Sequence, residues 1–207
     1  MSFQGQVYEW HDIKSPHSHS YLLPKLESLF ASRNWPVGAR ALDFGCGNGS
    51  LTNWLNNKGI KAIGVDLSTS GIAVAKKAYP SITFSTDVSA ENIARLGPFD
   101  LALCIEVIAH CFYPSAEMKK IYDNLKPGGM LILVTPYYGY LKNLALAVTG
   151  KLSEHRSVVS SARYVNLFTI SSIKELLLQN GFADVSVERV GRIAPLAKAM
   201  LVVAHKP

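Results

Sequence analysis

Long apolar runs are missing from this sequence: no stretch approaches the roughly 20 consecutive apolar residues that a helix needs to cross a bilayer. The opening residues Met1-Ser2-Phe3-Gln4-Gly5-Gln6 carry neither a basic leader nor an apolar segment, so a soluble, cytoplasmic protein is expected. Cysteine is scarce. Cys46, Cys104 and Cys111 form an odd set without C-x-x-C spacing, which argues against a disulfide framework or a zinc site and predicts free thiols. Nor does any spacing of His, Asp or Glu resemble a ligand set, so no metal is expected. Charged residues make up only 17% of the 207, and the lysines and arginines behind the net charge of +6 are scattered. Their pair clusters, Lys76-Lys77 and Lys119-Lys120, fall on helical patterns, so they read as a solvated face and nucleic acid is not an expected partner.

What the chain does have is apolar content, 48%, enough to bury a full core as a single domain over residues 1–207. Its centre is Ala41-Leu42-Asp43-Phe44-Gly45-Cys46-Gly47-Asn48-Gly49-Ser50. An apolar run ends in an acid, and three alternate glycines lead into the helical spacing of Leu51-Thr52-Asn53-Trp54-Leu55. Glycines at this density let backbone approach a ligand closely.

From Arg40 onward strands and helices alternate. Strand one ends at Phe44 and a helix runs from Leu51 to Asn57; Lys61–Asp66 is the second strand and Gly71–Tyr79 the next helix. Ile82–Ser85 is a short third strand, Ala90–Leu96 a short helix, and Phe99–Ile105 a nearly all-apolar fourth strand. Pro114 opens a helix to Leu125, and Lys126-Pro127-Gly128-Gly129 reads as a sharp turn into strand five, Met130–Thr135. Ile170–Asn180 is an amphipathic helix, and Asp184–Val190 and Lys198–His205 read as a closing hairpin. Ahead of all this, Ser15-Pro16 reads as a helix start and Pro24 as a kink or a later start; the apolar stripe ends at Asn34. The fold class is α/β: an open, mainly parallel seven-stranded sheet, helices on both faces, and a C-terminal antiparallel hairpin. Ligands in such sheets bind at the carboxyl ends of strands, near the point where strand order reverses.

Two carboxylates narrow the ligand. The glycines miss the dinucleotide G-x-G-x-x-G, because Ser50 stands where the third glycine should fall. Asp66 ends strand two, about twenty residues beyond the glycine loop, where a carboxylate can accept from both ribose hydroxyls. Asp43 would repel a pyrophosphate yet attract a cation, and S-adenosylmethionine carries both an ammonium and a sulfonium.

On these motifs the chain resembles the class I, Rossmann-like S-adenosylmethionine-dependent methyltransferases, over residues 40 to 135 most specifically. The resemblance implies a cofactor site of Asp43, Gly45, Cys46, Gly47, Asn48 and Gly49, of Asp66 with Leu67 at the ribose, and of Asp87 with Val88 at the adenine. It adds Ile105, Glu106 and His110 from Cys104-Ile105-Glu106-Val107-Ile108-Ala109-His110, with Ala109 standing where relatives often carry glutamate. S-adenosylhomocysteine would be the product. The combination of Glu106, His110 and Val165-Asn166-Leu167-Phe168-Thr169, before the helix ending Asn180-Gly181-Phe182, is loosely similar to the ubiquinone-biosynthesis O-methyltransferase branch.

Methyl transfer mainly needs an in-line nucleophile and exclusion of water, and a hydroxyl acceptor must also lose a proton. Candidate bases are His110, His155 and Tyr137, with Tyr138 beside it; His110 could instead pack on the cofactor, and Tyr137 line the pocket. Residues 1–36 form an arm and helix expected to act as a lid, with Tyr8, Trp10, His19 and Tyr21 folding over the methionine part, or simply packing the arm. Residues 136–170 form a substrate-side insertion, whose segment 139–152 either covers the pocket or touches a membrane peripherally. The expected function is methylation of a small molecule at a hydroxyl. The alternatives are an RNA or protein methyltransferase and a non-catalytic cofactor-binding module. The sequence leaves the oligomeric state open.

Overall fold

The computed structural model describes residues 9–13, 19–151 and 165–207. Helix α1 (His19–Ala31) precedes β1 (Arg40–Phe44), α2 (Ser50–Asn57), β2 (Lys61–Val65), α3 (Thr69–Ala78) and β3 (Phe84–Ser85). Next come α4 (Ala90–Leu96), β4 (Phe99–Ile105), α5 (Pro114–Asn124), β5 (Leu125–Pro136) and α6 (Tyr140–Val148). Helix α7 (Ile170–Gln179) and the strands β6 (Ala183–Val190) and β7 (Ala199–His205) close the chain. No described helix is long and apolar enough to cross a membrane.

The strands form one sheet in the order β3-β2-β1-β4-β5-β7-β6. The first five are parallel, and β7 runs antiparallel to both β5 and β6, as the closing hairpin requires. The order reverses between β1 and β4, so the crevice opens beyond Phe44 and Ile105.

Period-two alternation divides the core. Leu101, Leu103 and Ile105 of β4 pack with Leu22, Leu26 and Phe30 of α1 and with Leu51 and Leu55 of α2 on one face. Ala102 and Cys104 point the other way, toward Ile93 of α4, Met118 and Ile121 of α5, and Ile173 and Leu177 of α7. Strand β6, at the edge, alternates half-buried and exposed residues instead.

Three boundaries differ from the sequence reading. Lys126–Gly129 is not a turn before strand five but a bulge within it. Phe99 pairs with Leu125 and Leu101 with Met130, and the extra residues are held by Gly128 N donating to Lys206 O at 2.8 Å. Strand three keeps only Phe84 and Ser85, which pair with Gly64 and Val65 of β2. Pro24 lies inside α1, which begins at His19. The cysteines are free, as expected.

Candidate functional site

The glycine loop folds tightly because its backbone groups bond at once to the neighbouring strand: Gly45 N and Cys46 N donate to Val65 O at 2.7 and 3.1 Å. Gly45, Gly47 and Gly49 all take positive φ, at 80°, 52° and 76°. All three positions also lack room for a side chain, Gly49 because Phe84 Cζ lies 2.7 Å from where its Cβ would stand. A Cβ on Gly45 would lie 2.1 Å from Val107 Cγ2, and one on Gly47 2.3 Å from Trp10 Cζ2.

Trp10 therefore seats its ring on the loop, and it also lies 2.9 Å from where a Cβ of Gly71 would stand. Its backbone N donates to Ser70 Oγ at 3.0 Å, and Asn48 Nδ2 donates to Asp12 O at 3.1 Å. Residues of the arm lie across the glycine loop, whereas α1 packs its apolar stripe into the core. Ser70 and Asn48 as arm anchors were invisible in the sequence, since these contacts join segments 36 to 60 residues apart. Tyr8, His155 and the side chain of His19 lie outside the described residues.

Acids ring this loop. Asp43 is buried behind it, and Thr52 Oγ1 donates to its Oδ2 at 2.6 Å. Burial pushes its carboxyl up to about 7, against the pull of that hydrogen bond. Thr52, a polar residue on the buried face of α2, was the available signal for this partner. Asp66, just past β2, accepts from Gly47 N at 2.8 Å and Ser68 N at 2.7 Å, and burial raises its pKa while these bonds lower it. Leu67 beside it is exposed. Asp87, beyond β3, is exposed and accepts from Ser89 N at 2.9 Å; its hydrogen bonds with Ser89 hold the carboxyl below its ordinary value. Val88 is half-buried, and its carbonyl accepts from Lys120 Nζ at 3.1 Å.

Glu106 follows buried Ile105 at the end of β4 with φ 59°, a left-handed conformation that side chains tolerate poorly. Its N–H donates to Val134 O at 2.8 Å. Burial pushes its carboxyl up to about 7, with Lys142 pulling the other way. Tyr21 on α1 faces it: burial first, then the Glu106 charge, raises the phenol to about 12. Asp43, Asp66 and Glu106 thus place three acids, each raised by burial, at one strand-end crevice; ionised, they suit a cationic ligand and repel a pyrophosphate.

His110 ends a short 3-10 turn, Ile108–His110, immediately past Glu106. The turn is clamped from the far side of the chain. Val165 N and Asn166 N donate to Ala109 O at 2.8 and 3.0 Å, and Asn166 Nδ2 donates to Cys111 O at 2.6 Å. The segment from Val165 onward is the one whose likeness to a family branch carried no mechanism in the sequence; Asn166 holds both carbonyls that flank His110. Tyr137 and Tyr138 are buried at the β5 exit. Tyr137 turns its hydroxyl back on Gly139, where an added Cβ would lie 1.9 Å from it. Lys142 Nζ, which sequence reading treated only as a charge in an apolar helix, donates to Tyr137 O at 2.8 Å and Ala197 O at 3.2 Å.

A family model described as a methyltransferase domain matches residues 12–187. Over 129 residues the chain is 34% identical to the ubiquinone biosynthesis O-methyltransferase of Bradyrhizobium diazoefficiens, covering 61% of this chain and 51% of that protein. The chain thus spans about half the length of that curated relative. In fold it is similar to magnesium protoporphyrin IX methyltransferase from Synechocystis with bound S-adenosylhomocysteine, at a TM-score of 0.67 and 21% identity over 95% of this chain and 90% of that one. It is nearly as similar to the [4+2]-cyclase SpnF, at a TM-score of 0.66 and 18% identity over 97% and 86% of the two chains. The fold by itself therefore does not select a reaction.

Proposed function

This chain belongs to the methyltransferase-domain family, and from that premise we propose that it moves the methyl group of S-adenosylmethionine to a hydroxyl oxygen of a small molecule by in-line displacement. The observation that carries the reading is the trio of burial-raised acids, Asp43, Asp66 and Glu106, beside a loop with no room for side chains at Gly45 and Gly47. Attraction of an ammonium and a sulfonium to carboxylates in a partly dry crevice distinguishes this ligand from a dinucleotide. When bound, the cofactor supplies a methyl carbon already activated by its sulfonium.

The residues divide the work by position. Asp66 accepts from the ribose with Leu67 alongside, while Asp87 and Val88 bracket the adenine. Gly45 to Gly49, Ile105 and Glu106 hold the methionine part, and the arm closes over it through Trp10, with Tyr8, His19 and Tyr21 completing the cover. His110 takes the acceptor proton, held in place by Asn166, and Tyr137 walls the acceptor side; His155 is the alternative base. Residues 136–170 form that wall.

The relatives' name supports transfer to oxygen. An apolar acceptor is supported by α6, which leaves Tyr140 79%, Leu141 58% and Val148 79% exposed. Such a helix beside Lys142 and Lys151 also supports peripheral contact with an anionic bilayer, which vesicle flotation tests. The function itself is tested with labelled S-adenosylmethionine and a panel of hydroxylated aromatics. An O-methylated product with S-adenosylhomocysteine is expected. Turnover confined to amine or RNA acceptors refutes the assignment to a hydroxyl.

A further inference from the structure

The exit of β5 gathers cations over tyrosine rings. Lys142 Nζ lies 5.2 Å from the ring centre of Tyr138, Arg189 Cζ 5.7 Å from that of Tyr137, and Lys198 Nζ 5.3 Å from that of Tyr21. These elements are stitched together, since Tyr137 N donates to Lys198 O at 3.1 Å and Lys142 Nζ to Ala197 O at 3.2 Å. Gly191, the residue before Arg192, packs directly on the Lys198 side chain. Four cations therefore share one rim: Lys142, Arg189, Arg192 and Lys198.

Among the described residues none of the four forms a salt bridge. Glu188, the acid next to Arg189 in sequence, is taken by Lys25 on α1. The charges of Arg192 and Glu106 both act on the Lys142 ammonium, the first against its charged form and the second for it. At this strand end the hydroxyl of Thr135 is fully buried and has no hydrogen-bond partner among the described residues. Buried polar groups are rarely left so unless a ligand or water serves them.

The position of the rim relative to the cofactor residues says what it would meet. Asp66 and Asp87 follow β2 and β3, so the nucleoside end belongs on that side of the crevice. In a sheet ordered β3-β2-β1-β4-β5 the methyl-bearing end then points toward β4 and β5, where the cations stand.

We propose that the β5 exit is an anion-binding acceptor subsite, in which Lys142, Arg192 and Lys198 receive a carboxylate or phosphate carried by the methyl-accepting molecule. This rests on the methyltransferase reading, and it names the acceptor class more narrowly: a hydroxylated aromatic that also bears an oxyanion. The tyrosine rings supply the apolar wall and the cations the orienting contact. The same field also favours the ionised form of an acceptor hydroxyl.

The experiment is titration calorimetry of catechol and of 3,4-dihydroxybenzoate into the protein, with and without S-adenosylhomocysteine. The two probes differ only in a carboxylate. Binding of the carboxylate at least tenfold tighter than catechol is expected, with the ratio falling toward one in Lys142→Gln and in Arg192→Gln, the second a surface change that leaves packing intact. Equal affinities, or a preference unaltered in both variants, overturns the proposal. Capture by phosphatidylglycerol vesicles but not phosphatidylcholine vesicles, lost in the same variants and without preference among soluble probes, assigns the oxyanion to a lipid headgroup. Failure of the methyltransferase reading appears separately, as no binding of S-adenosylhomocysteine and no turnover, while the probe preference is read without cofactor.

Discussion

Replacing Asp66 by asparagine separates the two roles that the structure gives this carboxylate. Its Oδ2 accepts from Gly47 N at 2.8 Å and its Oδ1 from Ser68 N at 2.7 Å. Asparagine offers one carbonyl oxygen, so whichever way the amide turns, an NH2 group faces one of these donors. An unsatisfied donor in a partly buried site costs about 1–3 kcal/mol, and for a chain of this size each kcal/mol lowers the melting temperature by about 2–4 °C. The ribose separately loses an ionised acceptor, a bond worth about 1.5–3 kcal/mol. That corresponds to S-adenosylmethionine affinity weaker by about 10- to 100-fold. Thermal melting of the free variant reads the first effect and titration calorimetry the second. A lower melting temperature with affinity retained within twofold would make Asp66 a loop clamp only, and would refute the ribose assignment.

Other perturbations test the neighbouring residues. Gly47→Ala forces a side chain into φ 52° and against Trp10, so a stability loss of about 1–2 kcal/mol is expected, with displacement of the arm read as faster proteolysis near residue 10; unchanged cleavage counts against the seated tryptophan. Asp43 and Glu106 titrate near 7, above their ordinary 3.8 and 4.5. Between that ordinary range and about 7 the folded protein holds protons that the unfolded chain has released, so their contribution to stability falls as pH rises through this window. A bound cation lowers both values, so cofactor binding at about pH 6.5 releases protons and its apparent enthalpy differs between phosphate and imidazole buffers; identical enthalpies contradict this. His110→Ala lowers kcat by about a hundredfold or more. Asn166→Ala, which frees the turn without touching the base, lowers kcat and shifts its pH profile with little change in the KM for S-adenosylmethionine; a profile that stays put refutes the clamp.

Much of this architecture was legible in the residue pattern. Nearly all-apolar β4 read as a strand covered on both faces, and the spacing from the glycine loop put Asp66 just past the end of β2, where its carboxylate accepts from Gly47 N. The misreadings were local competitions that pairing decided. Lys126-Pro127-Gly128-Gly129 has turn chemistry, yet Lys206 pairs with its backbone and keeps it inside β5. Ile82 and Thr83 have strand propensity, yet pairing with β2 begins only at Phe84 opposite Gly64, and Thr83 contributes just its carbonyl, which accepts from Gly64 N at 3.0 Å.

What the sequence determined by itself was the order of strands and helices, the glycine loop and the acids at fixed offsets from it, because these depend on periodicity and short spacing. What only the tertiary structure decided was which distant segments meet: Trp10 on Gly47, Asn166 on the turn of His110, Lys142 between Tyr137 and Ala197. Such meetings follow from sheet order and from the path of loops over the strand ends. No local pattern encodes them, since each partner satisfies its own neighbourhood equally well before the chain folds.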